Sequence, residues 1–494
     1  MKLTPQSIEE FSTPGASHSR PSDPAGETYR GARREHWDEI AKLRHDGWGA
    51  YYHHRLSEIY RFLVPPGQRV LEIGCGKGDL LASLRPSTGT GIDFSEEMIR
   101  LARERHPELT FHHADIHDLR IQDKFDVIIL SDLVNDLWDV QSSLENIRRM
   151  CSPQTRLILN TYSRLWEPAL ALAQKMGLAH PTLYQNWLTV PDLINLLNLA
   201  DFQVIRKWQE ILWPLRTPLL ASLGNRFLVK LPFFRHLALA NFLIAWPAPG
   251  GTARENPSVS IVIPARNEAG NIKQIFQRVP RIGSRMELIF VEGHSRDGTY
   301  ETIEAAIASQ AGLDCKLIRQ TGIGKGDAVR LGFENASGDV LMILDADLTV
   351  QPEDLPRFFD VLASGRAELV NGVRQVYPME KHAMNFFNLV GNKAFTLAFT
   401  WLLGQPVRDT LCGTKVLWKK DYKLIAETRS YLGDMDPFGD FDLLFGAARW
   451  NRKIVDMPVR YRERTYGSTN IKRWSHGWML LKMVFRAARK IKFV

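Results

Sequence analysis

The chain is poor in cysteine: Cys75, Cys151, Cys315 and Cys412 are the only four among 494 residues, with no CxxC spacing and no adjoining cluster of metal ligands. Neither a disulfide framework nor a structural zinc site is indicated, and a reducing compartment is expected. Long apolar runs are also missing. No stretch reaches the roughly 18 uninterrupted apolar residues of a membrane-spanning helix, and the nearest candidate, LALANFLIAW at 237–246, is too short. The start, MKLTPQSIEE, lacks the charged-then-apolar order of a secretion signal. The expected location is therefore the cytoplasm, with peripheral contact on the inner membrane face as a variant of it. Acidic residues disappear after Glu463, which leaves the end of the sequence wholly basic.

What is present describes a globular protein, 44% hydrophobic and 24% charged, and long enough for two to four domains. A net charge of +8 suits nucleic acid, a membrane surface or a phosphorylated substrate equally. Residues 12–30 are rich in Ser, Pro and Gly, so residues 1–34 are expected to form a disordered leader. A second break at PAPGGTARENPS separates two segments that each begin afresh with a β-rich run, RVLEIGC at 69 and SVSIVIP at 258. Expected domains span 35–246 and 258–475, with a linker at 247–257 and a basic amphipathic helix at 476–494. In both halves short apolar strands alternate with longer helical patterns, which predicts an α/β protein with two doubly wound, mostly parallel sheets.

In the first half, VLEIGCGKGDL at 70–80 reads as a buried strand, a turn with Gly74, Gly76 and Gly78, and a helix starting near Asp79. Glycines let a backbone approach a ligand where a Cβ would collide. A second strand ends at Asp93, about 20 residues downstream, where a carboxylate can take both ribose hydroxyls. A third acidic turn brings Asp115 and Ile116 to the next strand end. A dinucleotide site would favour GxGxxG, whereas this turn is GxGxG preceded by Glu72. The layout resembles the class I S-adenosylmethionine-dependent methyltransferases, with their Rossmann-like fold, over residues 50–165. The resemblance implies that Glu72 and the Gly74–Gly78 loop surround the methionine moiety, that Asp93 holds the ribose, and that Asp115 with Ile116 borders the adenine. Ser131, Asp132 and Asn135 would reach the mouth of the site. Asp132, His112 and His113 are conceivable bases, against the plainer reading of solvated loop residues, and Tyr51, Tyr52 and His53 fall on a cap helix.

In the second half, LMILDADLTV at 341–350 ends an apolar run in two carboxylates. Alternate residues of an extended stretch point the same way, so Asp345 and Asp347 can converge, and a divalent cation relieves their repulsion while bridging to phosphate oxygens. SIVIPARNEAGNI at 260–272, LIFVEGHSRDGT at 288–299 and a basic glycine loop around Lys325 accompany them. This ordered set resembles family-2 glycosyltransferases of the GT-A type over residues 256–475, nearest to the dolichyl- and polyprenyl-phosphate mannose synthases. The likeness implies that Ala265, Asn267, Glu268 and Glu292 line the nucleoside pocket, and that Lys325 and Asp345 meet the donor diphosphate. Asp345 and Asp347 would bind Mg²⁺ or Mn²⁺. Arg374 and Arg464 would clamp phosphate, Ser468 and Lys472 would meet an acceptor phosphate, and Asp440 in GDFDLL, with Asp442 second, would serve the acceptor as base or orienting group. Two departures stand out: VDDGS is here VEGHS, with Gly293 for the second acid, and QxxRW appears only as NIKRW at 470–474, which argues against polymer synthesis.

The tail GWMLLKMVFRAARKIKFV, drawn as a helix, puts Trp478, Leu481, Val484, Phe485, Ala488 and Ile491 on one side and Lys482, Arg486, Arg489 and Lys490 on the other. Such a helix suits an anionic membrane surface, or alternatively docks on its own domain. No recognition module accompanies the cations, so nucleic acid is not an expected partner. The combined expectation is a bifunctional enzyme, joining methyl transfer from S-adenosylmethionine to metal-dependent inverting transfer of sugar from a nucleotide-sugar to a polyprenyl phosphate. A soluble enzyme acting on a saccharide or small metabolite, or a first half that only binds or scaffolds, are the competing readings.

Overall fold

A computed structural model describes residues 24–42, 50–119, 121–176, 182–249, 256–310, 312–374, 376, 386–427, 429, 439–464, 466 and 473–493. It divides into two compact units, Met1–Ala248 and Pro249–Val494.

Unit one is built on seven strands: β1 Arg69–Ile73, β2 Thr88–Asp93, β3 Thr110–His113, β4 Phe125–Ser131, β5 Cys151–Tyr162, β6 Phe202–Glu210 and β7 Ala240–Pro247. Their order is β3-β2-β1-β4-β5-β7-β6. All neighbours are parallel except β7, which runs against both β5 and β6. Alternate strand residues enter different cores. Val70, Ile129 and Ile158 pack in one cluster, whereas Leu71, Ile128 and Leu157 pack in another, which is how a sheet covered on both faces reads. The run at 237–246 supplies most of β7, buried along its whole length.

Composition places residues 24–34 in a disordered leader, whereas the structure carries them in the helix Pro24–Lys42. The low-complexity stretch gives way to ETYRGARREHWDEIAK, whose Trp37, Ile40 and Ala41 pack on Met98 and Leu101 of the helix Glu96–Arg105.

Unit two also has seven strands: β8 Val259–Ala265, β9 Met286–Glu292, β10 Asp314–Arg319, β11 Val340–Ile343, β12 Leu369–Val373, β13 Lys415–Trp418 and β14 Ile454–Pro458. The order is β10-β9-β8-β11-β13-β12-β14, with β13 antiparallel to β11 and β12. In each sheet the chain winds outward from a central strand and then returns to its other side. The switch points lie between β1 and β4, and between β8 and β11, and clefts at the carboxyl ends of such strands bind ligands.

Near the end of the chain the helix Arg473–Ala487 packs against the helix Phe386–Leu403. The apolar residues of the tail divide between two faces. Leu480, Met483, Ala487, Ala488 and Ile491 are buried, while Trp478 is 61% and Phe485 66% exposed. A helical wheel drawn without partners merges these faces, because apolar residues occupy both. Among the described residues no helix is long and apolar enough to cross a membrane.

Candidate functional sites

At the β1–β4 switch point, Gly74, Gly76 and Gly78 turn the chain with φ values of 73°, 51° and 77°. A Cβ on Gly74 would meet Leu133 at 2.9 Å and one on Gly78 the Phe111 ring at 2.6 Å, whereas Gly76 faces open space. Asp93, the last residue of β2, accepts the N–H groups of Gly76 and Ser95, both at 2.9 Å. Burial pushes its pKa up to about 6. Glu72 is buried, its Oε2 lacks a hydrogen-bond partner among the described residues, and burial pushes its pKa up to about 8. A cleft opens beside this turn, lined by Gly74, Asp93, Asp115, Ile116, Leu133 and Trp138 among others.

The structure adds residues that sequence reasoning passed over. Arg30 and Arg33 of the helix Pro24–Lys42 line the cleft, and Arg30 approaches Asp115 to 3.7 Å. Just past β4, Asp132 adopts φ 54°. Its carboxylate accepts the Tyr52 hydroxyl at 2.9 Å and the Asn160 amide at 2.5 Å. Tyr60 donates to the same Asn160 at 2.7 Å. Burial pushes the Asp132 pKa up to about 7. Asn160 and Tyr162 close the cluster from the end of β5, and the only sequence trace of this is the polar ending of LILNTY. Asn135 turns inward instead, donating to the Asn186 carbonyl at 2.8 Å. His113 contacts the Phe94 carbonyl.

At the β8–β11 switch point, Asp345 and Asp347 follow β11. Lys325, at the start of the helix Lys325–Glu334, reaches Asp345 Oδ1 at 2.5 Å. Burial disfavours the charged ammonium, yet Asp345, Asp440 and Asp347 together hold its pKa well above the lysine range. Arg464 bridges two acids, donating to Glu268 Oε1 at 3.0 Å and to Asp347 Oδ2 at 2.7 Å. Burial, partly offset by Arg464, pushes the Glu268 pKa up to about 7. Gly413 lies where a Cβ would fall on Lys325 Nζ and Asp345 Oδ2, so any side chain there would displace this pair. Asp440 begins the helix Asp440–Arg449 and receives the buried Lys415 ammonium at 3.1 Å. Asp442 meets Arg429 at 3.2 Å.

The nucleoside candidates stand together. Ala265 ends β8 in register with Glu292 at the end of β9. Asn267 accepts the Arg296 N–H, and Glu292 accepts that of Ser295 at 2.6 Å. Tyr466 covers this side, its ring against Gly270 and its hydroxyl on Asp297 at 3.2 Å. Arg374 is turned elsewhere: its guanidinium grips the buried Asp409 through two bonds of 2.7 and 2.9 Å, which occupies the fork that a phosphate clamp needs. Ser468 and Lys472 lie outside the described residues. Among the described residues no group of three or more His, Cys, Asp or Glu side chains is arranged to hold a metal ion.

A family model of glycosyl transferase family 2 matches residues 260–413, and a methyltransferase-domain model matches residues 65–211. Glycosyltransferase AglJ of Haloferax volcanii is 28% identical over 235 residues, 47% of this chain and 72% of that one. Dolichol-phosphate mannosyltransferase of Pyrococcus furiosus is 26% identical over 248 residues, 48% of this chain and 67% of that one. The undecaprenyl-phosphate 4-deoxy-4-formamido-L-arabinose transferase of Aeromonas hydrophila is 32% identical over 217 residues, 43% of this chain and 62% of that one. Among solved structures, the N-methyltransferase NodS of Bradyrhizobium japonicum in complex with S-adenosyl-L-homocysteine aligns at a TM-score of 0.30 and 15% identity, covering 44% of this chain and 98% of that one.

Proposed function

From a chain that joins a methyltransferase domain, residues 65–211, to a family-2 glycosyltransferase domain, residues 260–413, we propose a bifunctional enzyme. The second unit moves sugar, with inversion, from a nucleotide-sugar to a polyprenyl-phosphate acceptor. The first transfers a methyl group from S-adenosylmethionine.

The observation that carries the sugar-transfer reading is the alternation of acids and bases at the β8–β11 switch point: Glu268 and Asp347 on Arg464, Asp345 on Lys325, Asp440 on Lys415. Asp345 and Asp347 offer hard oxygens, too few for a protein-only cage, which suits a cation completed by diphosphate oxygens. A Mg²⁺ or Mn²⁺ ion held there would neutralise the leaving diphosphate. Lys325, released from Asp345, would turn to the same phosphates, while Ala265, Asn267, Glu268 and Glu292 face the nucleoside. The acceptor oxygen attacks the anomeric carbon as the bond to the diphosphate oxygen breaks, and the nucleoside diphosphate leaves with the electron pair. A phosphate acceptor is already anionic, with a second pKa near 6, so Asp440 orients it without taking a proton. Two of the relatives carry a lipid phosphate in their names. The outward Trp478, Leu481 and Phe485, beside Lys482, Arg486 and Arg489, support peripheral contact with the membrane where such an acceptor resides.

In the first unit the residues fit the methyl donor. The orphaned Glu72 oxygen can accept from its ammonium group, Gly76 leaves open space where a side chain would stand, and Asp93 retains lone pairs for ribose hydroxyls. Bound there, the donor supplies an electrophilic methyl group. Asp132, held by Tyr52 and Asn160, would take a proton from a hydroxyl acceptor.

The test is transfer of labelled sugar from a panel of nucleotide-sugars to undecaprenyl phosphate, paired with calorimetry of methyl-donor binding. Asp347→Ala abolishes sugar transfer and leaves donor binding intact, and Asp93→Ala does the reverse. Equal loss of both activities in both variants would remove the two-site account.

A further inference from the structure

The segment between β6 and β7 leaves large apolar side chains in water. Leu219 is 87% and Phe233 74% exposed, and Leu223, Phe227, Leu231 and Leu237 are also outward. Loose chain does not account for this, because the segment is anchored by buried polar groups. Asn225, 2% exposed, accepts the Trp213 N–H at 2.8 Å and donates to the Trp213 carbonyl at 2.7 Å. It also donates to the Tyr51 hydroxyl at 3.3 Å, one residue along the helix from the Tyr52 that holds Asp132. Lys230 is buried on Glu210, whose carboxylate also receives the Trp208 ring N–H. Successive short helical turns from Leu220 to Leu237 pack on one another and on β6. Leu219 is even held at φ 63°, a backbone region that costs a leucine free energy, while its side chain gains almost no burial.

The charge of the segment identifies what covers it. No Asp or Glu occurs between Glu210 and Glu255, while Arg216, Arg226 and Arg235 are exposed among the apolar residues. An acid-free apolar surface set with guanidinium groups is complementary to an anionic bilayer interface, where leucine and phenylalanine enter the acyl boundary and arginine stays at the phosphates. A protein partner would need a counter-surface both apolar and acidic.

We propose that the β6–β7 segment of the first unit is a membrane-docking platform for anionic phospholipid, separate from the C-terminal helix. This goes beyond the proposed activities and does not depend on either. It would bring the Asp132 cluster to the bilayer, so that an acceptor for the methyl group arrives from the lipid surface.

Flotation of the full chain with vesicles of phosphatidylcholine, with and without phosphatidylglycerol, tests it. The double variant L219E/F233E lowers partition onto phosphatidylglycerol vesicles at least tenfold, and W478E/F485E lowers it independently. Methyl-donor binding by calorimetry remains unchanged in L219E/F233E, which separates docking from folding. If that variant fails to fold, R226S/R235S carries the test, losing binding to phosphatidylglycerol vesicles only. Unchanged flotation of the folded L219E/F233E variant, or of R226S/R235S, overturns the proposal. So does a wild-type dimer that becomes monomeric in L219E/F233E with flotation intact, because the face would then belong to a second copy. Loss of methyl-donor binding by the wild type would remove the methyl-transfer reading and leave the docking result standing.

Discussion

The substitution Asp132→Asn separates a strained, functional carboxylate from a structural one. Burial raises its pKa from 3.8 to about 7. The folded chain therefore binds more protons than the unfolded chain between those values. Its contribution to stability is complete below about pH 4 and is lost as pH rises through about 7. At full strength, such a group withdraws roughly 2.5 kcal/mol of stability between pH 5 and pH 8. The carboxylate is half-buried rather than sealed, so solvent screening reduces this to about half. The introduced amide keeps the oxygen that Asn160 contacts, and the Tyr52 hydroxyl can reverse to accept from its NH₂ group. The variant should therefore gain on the wild type as pH rises. At about 2–4 °C per kcal/mol for a unit of this size, the difference in Tm grows by about 2–5 °C from pH 5 to pH 8. Methyl transfer should fall by about 10²–10⁴-fold, the usual worth of a positioned base. Thermal melts of both proteins across pH provide the assay. A Tm difference independent of pH would refute the shifted carboxylate, and with it the base.

Three further outcomes follow from the same geometry. Lys415→Met leaves Asp440 buried without its cation and should cost about 3–5 kcal/mol in denaturant titration. Gly413→Ala drives a methyl group onto Lys325 and Asp345, and nucleotide-sugar affinity by calorimetry should fall at least tenfold while methyl-donor binding stays unchanged. Arg374→Lys breaks the bidentate grip on Asp409, so the second unit should unfold at lower denaturant with the KM for nucleotide-sugar unchanged. A raised KM at unchanged stability would make Arg374 a phosphate clamp after all.

Much of the architecture was legible because both sheets advertise themselves as apolar runs ending in polar turns. Asp93 and Asp345 stand out since an acid at or just past the end of a buried strand has no packing reason to be there. What escaped reading depends on contacts distant in sequence. Asn160 and Tyr162 join Asp132 only because β4 and β5 are neighbours, and nothing local to either strand reports it. Arg374 and Asp409 meet because Arg374 leaves β12 beside the turn that leads into β13, so a guanidinium suited to phosphate is spent on a buried carboxylate. The platform at 219–237 shows the opposite limit. Nothing in the apolar character of Leu219 or Phe233 reports that the fold leaves them 87% and 74% exposed.

Manganese resonance in the presence of nucleoside diphosphates tests the central claim most directly, because it reports whether the paired acids of the second unit hold a cation against a diphosphate. The account predicts a ternary complex in the wild type that disappears in both Asp345→Ala and Asp347→Ala. An unaltered bound-manganese signal in both variants would contradict it.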